Sequence, residues 1–230
     1  MSVNENLTHI MERIRTCAAK SGRDPKEITL VAVSKTHTVP ELKSAYHYGI
    51  RDFGENKVQE MLEKHERLPD DIRWHMIGHL QRNKVKYIVP FVHMIHSVDS
   101  LKLCAEINKE ACKCGRVIPI LLEVNISHED SKFGLSKEEL PELLKACADF
   151  PGIYVKGLMT IAPFTEDNDV IKDVFSELRE LFLDIKSQKL DNVDMNYLSM
   201  GMSHDYEIAI EQGATHVRIG SSIFGIRNYT

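Results

Sequence analysis

The sequence predicts a parallel (β/α)8 barrel with an additional amino-terminal helix, and three observations carry that prediction. From Ile28 onward, short β-rich runs alternate with helical patterns. No Pro/Gly/Ser linker or charge block breaks the series into parts. The length of 230 residues suits one barrel, a fold that commonly takes about 250 residues as a single unit. One domain over 1–230, with its core at about 28–229, is therefore expected. A doubly wound open sheet is the competing architecture, because alternation alone does not tell a closed sheet from an open one.

The elements follow in order. Leu7, Ile10, Met11 and Ile14 recur at helical spacing and give the extra helix, placed either over the barrel floor or on its outside. Strands are expected at 28–34, 51–54, 73–77, 92–98, 118–126, 153–159, 195–200 and 215–220. Thr38 with Glu41, and Ser136 with Glu139, have the spacing of a capping box, and Leu140, Leu143, Leu144 and Cys147 continue the second of these as a helix. Gly49 and Gly213 stand where helix ends take a left-handed residue. Residues 169–186 place Val170, Val174, Leu178, Leu181, Phe182 and Ile185 on one predicted apolar face.

Composition narrows the function classes. With 29 basic and 34 acidic side chains the net charge is −5, which argues against broad electrostatic capture of nucleic acid or anionic membrane. The longest apolar stretches are strand-sized, so no membrane span is expected. The polar, acidic start lacks the features of a secretory signal. Five cysteines form an odd set without framework spacing, and reduced thiols in a cytoplasmic protein are the simplest reading. Neither His93 with His96 nor Cys112 with Cys114 supplies zinc-ligand spacing, so no metal is expected. Arg82, Lys84 and Lys86 read as a solvated helix face, and Trp74 as a packing residue.

Three features at predicted strand ends carry chemistry. Lys35 follows the apolar run Leu30-Val31-Ala32-Val33-Ser34 at the carboxyl rim, where barrels build their sites. A partly desolvated amine there can attack a carbonyl, although a solvated loop lysine is the plain alternative. Strands seven and eight run into the small-residue turns Ser199-Met200-Gly201-Met202-Ser203 and Gly220-Ser221-Ser222, which suit an anion such as phosphate but also serve as ordinary tight turns. If the sheet closes, strand eight lies beside strand one, and the phosphate turns come within one small cofactor's length of Lys35. Arg218 interrupts the last strand and by two-residue alternation shares the inward side with Gly220. Its partner is either a carboxylate such as Glu123 or a bound ligand.

Five motifs in order, Val33-Ser34-Lys35-Thr36, Phe53-Gly54-Glu55-Asn56 with Gln59-Glu60, His75-Met76-Ile77-Gly78-His79-Leu80-Gln81 with Asn83-Lys84, Leu198 to Ser203, and Val217-Arg218-Ile219-Gly220, together resemble the YggS/PROSC family of pyridoxal phosphate homeostasis proteins. The match runs from about Ile28 to Tyr229. The resemblance implies a barrel related to the amino-terminal domain of alanine racemase, with pyridoxal 5′-phosphate (PLP) held as an aldimine on Lys35. It further implies phosphate contacts near Ser199, Gly201, Ser203, Gly220 and Ser221, Arg218 against the pyridine nitrogen, and Asn56 approaching the cofactor. His79 stands where many relatives have proline.

An arginine at the ring nitrogen weakens the cofactor as an electron sink, and a second acid/base group is not evident, with Tyr46, Tyr48 and His37 the candidates. The expected function is a monomeric PLP carrier without strong turnover, with PLP-dependent apoenzymes as possible partners. A PLP-dependent racemase-like enzyme and a cofactor-free aldolase acting through Lys35 on a sugar phosphate are the competing readings.

Overall fold

The computed structural model describes residues 2–127 and 133–225. Eight parallel strands, β1 (Thr29–Val33), β2 (Asp52–Glu55), β3 (Arg73–Met76), β4 (Met94–Val98), β5 (Ile118–Glu123), β6 (Ile153–Met159), β7 (Val193–Ser199) and β8 (His216–Ile219), pair in chain order and close into a barrel. Closure is carried by β8 against β1, with Val31 opposite Arg218 and Ala32 opposite Ile219. The open-sheet alternative is thereby excluded. The expected fifth strand is shorter than read from its apolar run, ending at Glu123, after which Val124 makes only an isolated bridge with Leu135.

The helices are α1 (Val3–Lys20), α2 (Val39–Tyr48), α3 (Val58–His65), α4 (Val85–Ile88), α5 (Leu101–Lys113), α6 (Leu140–Cys147), α7 (Asn168–Ser187), α8 (Tyr206–Glu211) and α9 (Ser221–Phe224). The extra helix α1 packs against α2, α8 and α9, so it lies outside the barrel rather than across its floor. At the start of α2 the Thr38 amide and hydroxyl donate to Glu41 at 2.6 and 2.7 Å, and Gly49 ends the helix at φ 117°. In the second expected box only the Ser136 amide reaches Glu139, at 2.8 Å, and a turn intervenes before α6 begins at Leu140.

The apolar face read on α7 holds at every position but one. In α7 the buried residues are Ile171, Val174, Phe175, Leu178, Phe182 and Ile185, whereas Val170 is 41% exposed. Val174, Leu178, Phe182 and Ile185 are buried as the spacing predicts and Leu181 packs half-buried, while Ile171 and Phe175 widen the stripe on one side and Val170 falls outside it. Trp74 packs under the helices against Phe53, as expected of a core residue. Cys17, Cys104 and Cys147 are buried on α1, α5 and α6, and all five cysteines are free thiols. The predicted domain end at Tyr229 lies outside the described residues. Among those described, no helix is long and apolar enough to cross a membrane.

The outward strand faces, with Phe53, Trp74, Ile95, Ile120 and Val217, join the helices in one large apolar core. The barrel interior differs. Met94, Leu121, Met159 and the half-buried Tyr197 form a small apolar cluster there, beside the ring contacts of His75, His96 and His216 and the buried Arg218.

Candidate functional site

A cavity of about 280 Å³ opens at the carboxyl ends of the strands, a size suited to a small cofactor. Lys35, Asn56, Ser203, Arg218, Gly220 and Ser221 all line it. The closure of β8 on β1 therefore brings together the lysine, the arginine and the last turn, as the closed-sheet reading requires.

The strand end that carries Lys35 is held from below. Ser34 is fully buried, and its hydroxyl donates to Glu55 at 2.6 Å. Lys64 of α3 donates to the same carboxylate oxygen at 2.6 Å and to the Ser34 carbonyl at 2.7 Å. Burial pushes the Glu55 carboxyl up, and the Lys64 ammonium opposes that rise. The next residue, Thr36, has φ 67°, an expensive conformation for a β-branched side chain, and its amide donates to Glu60 at 2.6 Å. Lys35 thus follows a clamped strand and precedes a strained residue tied to α3.

The second-strand motif has a division of labour. Glu55 is the clamp, while Asn56 turns to the cavity with its Oδ1 buried and without a hydrogen-bond partner among the described residues. Gly78 makes room for it, since a Cβ at that position would lie 2.6 Å from the Asn56 carbonyl oxygen. Sequence reading gave Asn56 a role and left Glu55 and Lys64 without one. The signal was available in the charged residues at the end of an apolar strand and on the buried face of α3.

Arg218 is 4% exposed. Its Nη1 donates to Ser199 Oγ at 2.7 Å and its Nη2 to the Thr160 carbonyl at 2.9 Å. Burial lowers its pKa to about 10, against the opposing pull of the Asp205 and Glu123 carboxylates. Direct contacts therefore go to a hydroxyl and a carbonyl, with the carboxylates acting through space, and the side chain, which has five N–H donors, lines the cavity.

The two turns behave differently. Gly220 lies against β1, where an added Cβ would meet the Val33 carbonyl at 3.0 Å, and its amide donates to Ser203 Oγ at 3.3 Å. The first bond inside α9 runs from the Ile223 amide to Gly220 O, which leaves the Ser221 and Ser222 amides as the orphan donors of a helix start. Ser199 and Gly201 do not line the cavity. Ser199 is fully buried with its hydroxyl engaged by Arg218 and His96, and Gly201, at φ 92°, closes on α8, where a Cβ would meet Ala209 Cβ at 2.6 Å. The structure places these two under the site, not at its surface.

Of the acid/base candidates, only His37 lines the cavity, with its Nδ1 3.1 Å from Glu41 Oε1. Tyr46 donates to Asp71 at 2.8 Å and lies under the Arg51 guanidinium, and neither it nor Tyr48 reaches the cavity. His204, which sequence reading passed over, also lines it. His79 stacks on Phe133 and pairs with Asp99, beside the cavity formed by the residues of its motif and the start of α5.

The alanine racemase N-terminal domain family matches residues 5–228. The pyridoxal phosphate homeostasis protein of Aquifex aeolicus is 44% identical over 230 residues, which is 100% of both chains. Solved structures that match at 34% identity include the following two. A protein of unknown function from Bifidobacterium adolescentis superposes with a TM-score of 0.92 over 96% of this chain and 94% of its own. PipY of Synechococcus elongatus, solved with PLP bound, gives 0.80 over 94% of this chain and 100% of its own. A barrel of this order, with a rim lysine beside a buried arginine and a glycine-serine turn, and with relatives matched end to end, belongs to the alanine racemase N-terminal domain family, among the pyridoxal phosphate homeostasis proteins.

Proposed function

We propose that this protein holds PLP in the rim cavity and serves its homeostasis as a carrier. The observation that carries the reading is the convergence on one cavity of Lys35, the buried Arg218 and the Gly220-Ser221 turn with Ser203. The residues fit the group. A primary amine stands where an aldehyde could be held, a guanidinium that only donates matches an unprotonated ring nitrogen, and hydroxyls and orphan amides suit a phosphate. The buried, unpartnered Asn56 Oδ1 awaits a donor from the cavity side.

When bound, PLP supplies an aldehyde that condenses with a lysine amine with loss of water, and a ring able to draw electrons from an attached amino acid. The chain's own residues perform the rest. Lys35 anchors the cofactor from its clamped strand end, Ser203, Gly220 and Ser221 bind the phosphate, and Arg218 orients the ring and disfavours its protonation. This last effect restrains amino-acid chemistry and favours retention and transfer to apoenzymes, by a protein acting as a monomer. The racemase-like reading keeps one observation in its favour, the presence of His37 and His204 on the cavity wall.

The test is direct. PLP titration of the full chain should give a visible absorption band, and borohydride reduction should fix the label to the peptide containing Lys35. Labelling of another lysine with none at Lys35 would overturn the assignment. Turnover of any amino acid near the common enzyme range of about 1 to 1000 per second would replace the carrier reading by the enzyme one.

A further inference from the structure

Four polar residues inside the barrel form a continuous chain below Arg218. Ser199 Oγ lies 2.9 Å from His96 Nδ1, His96 Nε2 lies 2.8 Å from His75 Nδ1, and His75 Nε2 lies 3.0 Å from Asp52 Oδ1. The participants come from β7, β4, β3 and β2, and Arg218 comes from β8. Asp52 is in turn paired with Arg73 at the opposite end of the strands from the cavity. Ser199, His75 and His96 are each at most 1% exposed.

With both buried rings in the neutral form, the donor inventory fixes the direction of every proton in this chain. A guanidinium can only donate, so Ser199 Oγ accepts from Arg218, and a carboxylate can only accept, so His75 donates to Asp52; between these two ends, neutral rings leave the Ser199 hydrogen to His96 Nδ1. His96 then carries its proton on Nε2 and gives it to His75 Nδ1. His75 likewise carries its proton on Nε2 and gives it to Asp52, which ends the chain as a carboxylate. For neutral rings this is the one orientation that satisfies all five groups. Burial holds His96 far below the usual histidine range, and the pair with Arg73 together with the His75 contact holds Asp52 well below the usual carboxylate range. The other titratable groups near the chain and Arg218 include His216 of β8, His93 before β4, Tyr197 of β7, Asp205 before α8 and Glu123 of β5. Of these, His216 is held to about 3 by burial and stays neutral, so it adds no competing charge.

We infer that His96 and His75 are positioning residues for Arg218: with Ser199 and Asp52 they form a one-directional hydrogen-bonded chain that fixes the Ser199 lone pair on the guanidinium and so sets how Arg218 meets the ligand's ring nitrogen. The second half of this statement rests on the PLP reading; the first half stands on the chain alone. Arg218 is anchored at two points, Ser199 and Thr160, and only the Ser199 anchor can rotate away. The histidines remove that rotation.

The experiment has two arms. Nitrogen-15 NMR of the full chain without ligand should show both rings as neutral Nε2–H tautomers at neutral pH, and slowly exchanging Arg218 Nη–H signals. His96→Leu, which accepts nothing, should collapse those guanidinium signals, while His96→Asn, whose carboxamide oxygen can accept the Ser199 hydroxyl, should keep them. Ser199→Ala, the smaller perturbation, should reproduce the collapse if the leucine variant does not fold. A cationic or Nδ1–H ring at either position, or unchanged Arg218 signals in the leucine and alanine variants, would overturn the inference. In the second arm, His96→Leu should weaken PLP binding roughly 2- to 12-fold, the span of one net hydrogen bond, and shift the visible band, with His96→Asn near wild type. Wild-type affinity and spectrum in His96→Leu would overturn the link to the cofactor. A wild-type protein that binds no PLP would fail the functional reading instead, and the first arm would still decide the chain.

Discussion

Replacing Lys64 with methionine tests whether the clamp under Lys35 is a true buried ion pair. The Lys64 ammonium lies 2.6 Å from Glu55 Oε1, with the two residues 6% and 0% exposed. Methionine has a similar reach and no charge, so the packing of α3 survives while Glu55 loses its cation. Breaking one side of a buried pair costs about 3 to 5 kcal/mol, because the remaining charge is left uncompensated. At about 2 to 4 °C per kcal/mol for a chain of this size, the melting temperature should fall by about 6 to 20 °C. The carboxyl can relieve part of this by taking up a proton, and burial already pushes it up. With the folded pKa raised further above the unfolded one, the folded state binds the extra proton, so the variant's stability falls as pH rises through that window. Urea unfolding should therefore show the larger loss at pH 8 and a smaller one at pH 5. Adding Glu55→Gln, which removes the second charge and still accepts from Ser34, should recover much of the difference at pH 8. A loss below about 1 kcal/mol at pH 8, or one that does not lessen at pH 5, would refute the ion-pair account.

Three further outcomes are expected. Gly220→Val puts a side chain where even a Cβ lies 3.0 Å from the Val33 carbonyl, and should weaken PLP binding at least about tenfold, the loss of one charge-assisted hydrogen bond, with little effect on pyridoxal lacking the phosphate; equal losses for both ligands would place the phosphate elsewhere. Glu123 is raised from an ordinary 4.5 to about 7 by burial, with Arg218 opposing, so the folded state holds its proton more tightly and stability should fall by about 3 kcal/mol as pH rises from about 4.5 to about 7. Glu123→Gln should abolish that slope in denaturant melts, and an unchanged slope would remove Glu123 as its source. On α7, Phe175→Ala should cost about 3 to 5 kcal/mol and Val170→Glu less than about 0.5, measured by chemical unfolding, since Phe175 is fully buried and Val170 is not; the reverse ranking would put Val170 rather than Phe175 on the buried face.

The sequence by itself determined the features that depend on neighbours along the chain. The short apolar run Leu30 to Val33, the Thr38–Glu41 contact and the left-handed Gly49 are set within a few residues, so the strand, the helix start and the helix end were legible there. Alternation also placed Arg218 and Gly220 on one side, and both line the cavity. Closure was a matter of tertiary structure, because an open and a closed parallel sheet present the same alternation, and only the pairing of β8 with β1 brings Lys35 to the last turn. Ser199 and Gly201 stood in a small-residue run that suited a phosphate, yet depth along the barrel axis, fixed by strand register, put them beneath the cavity and left Ser203 at its wall. The chain from Asp52 to Arg218 had no local signature at all. His75 and His96 are 21 residues apart, and His96 and Ser199 are 103 apart. Nothing in a strand's own pattern says which inward side chain of another strand it will meet; the tilt and stagger of the closed barrel decide that.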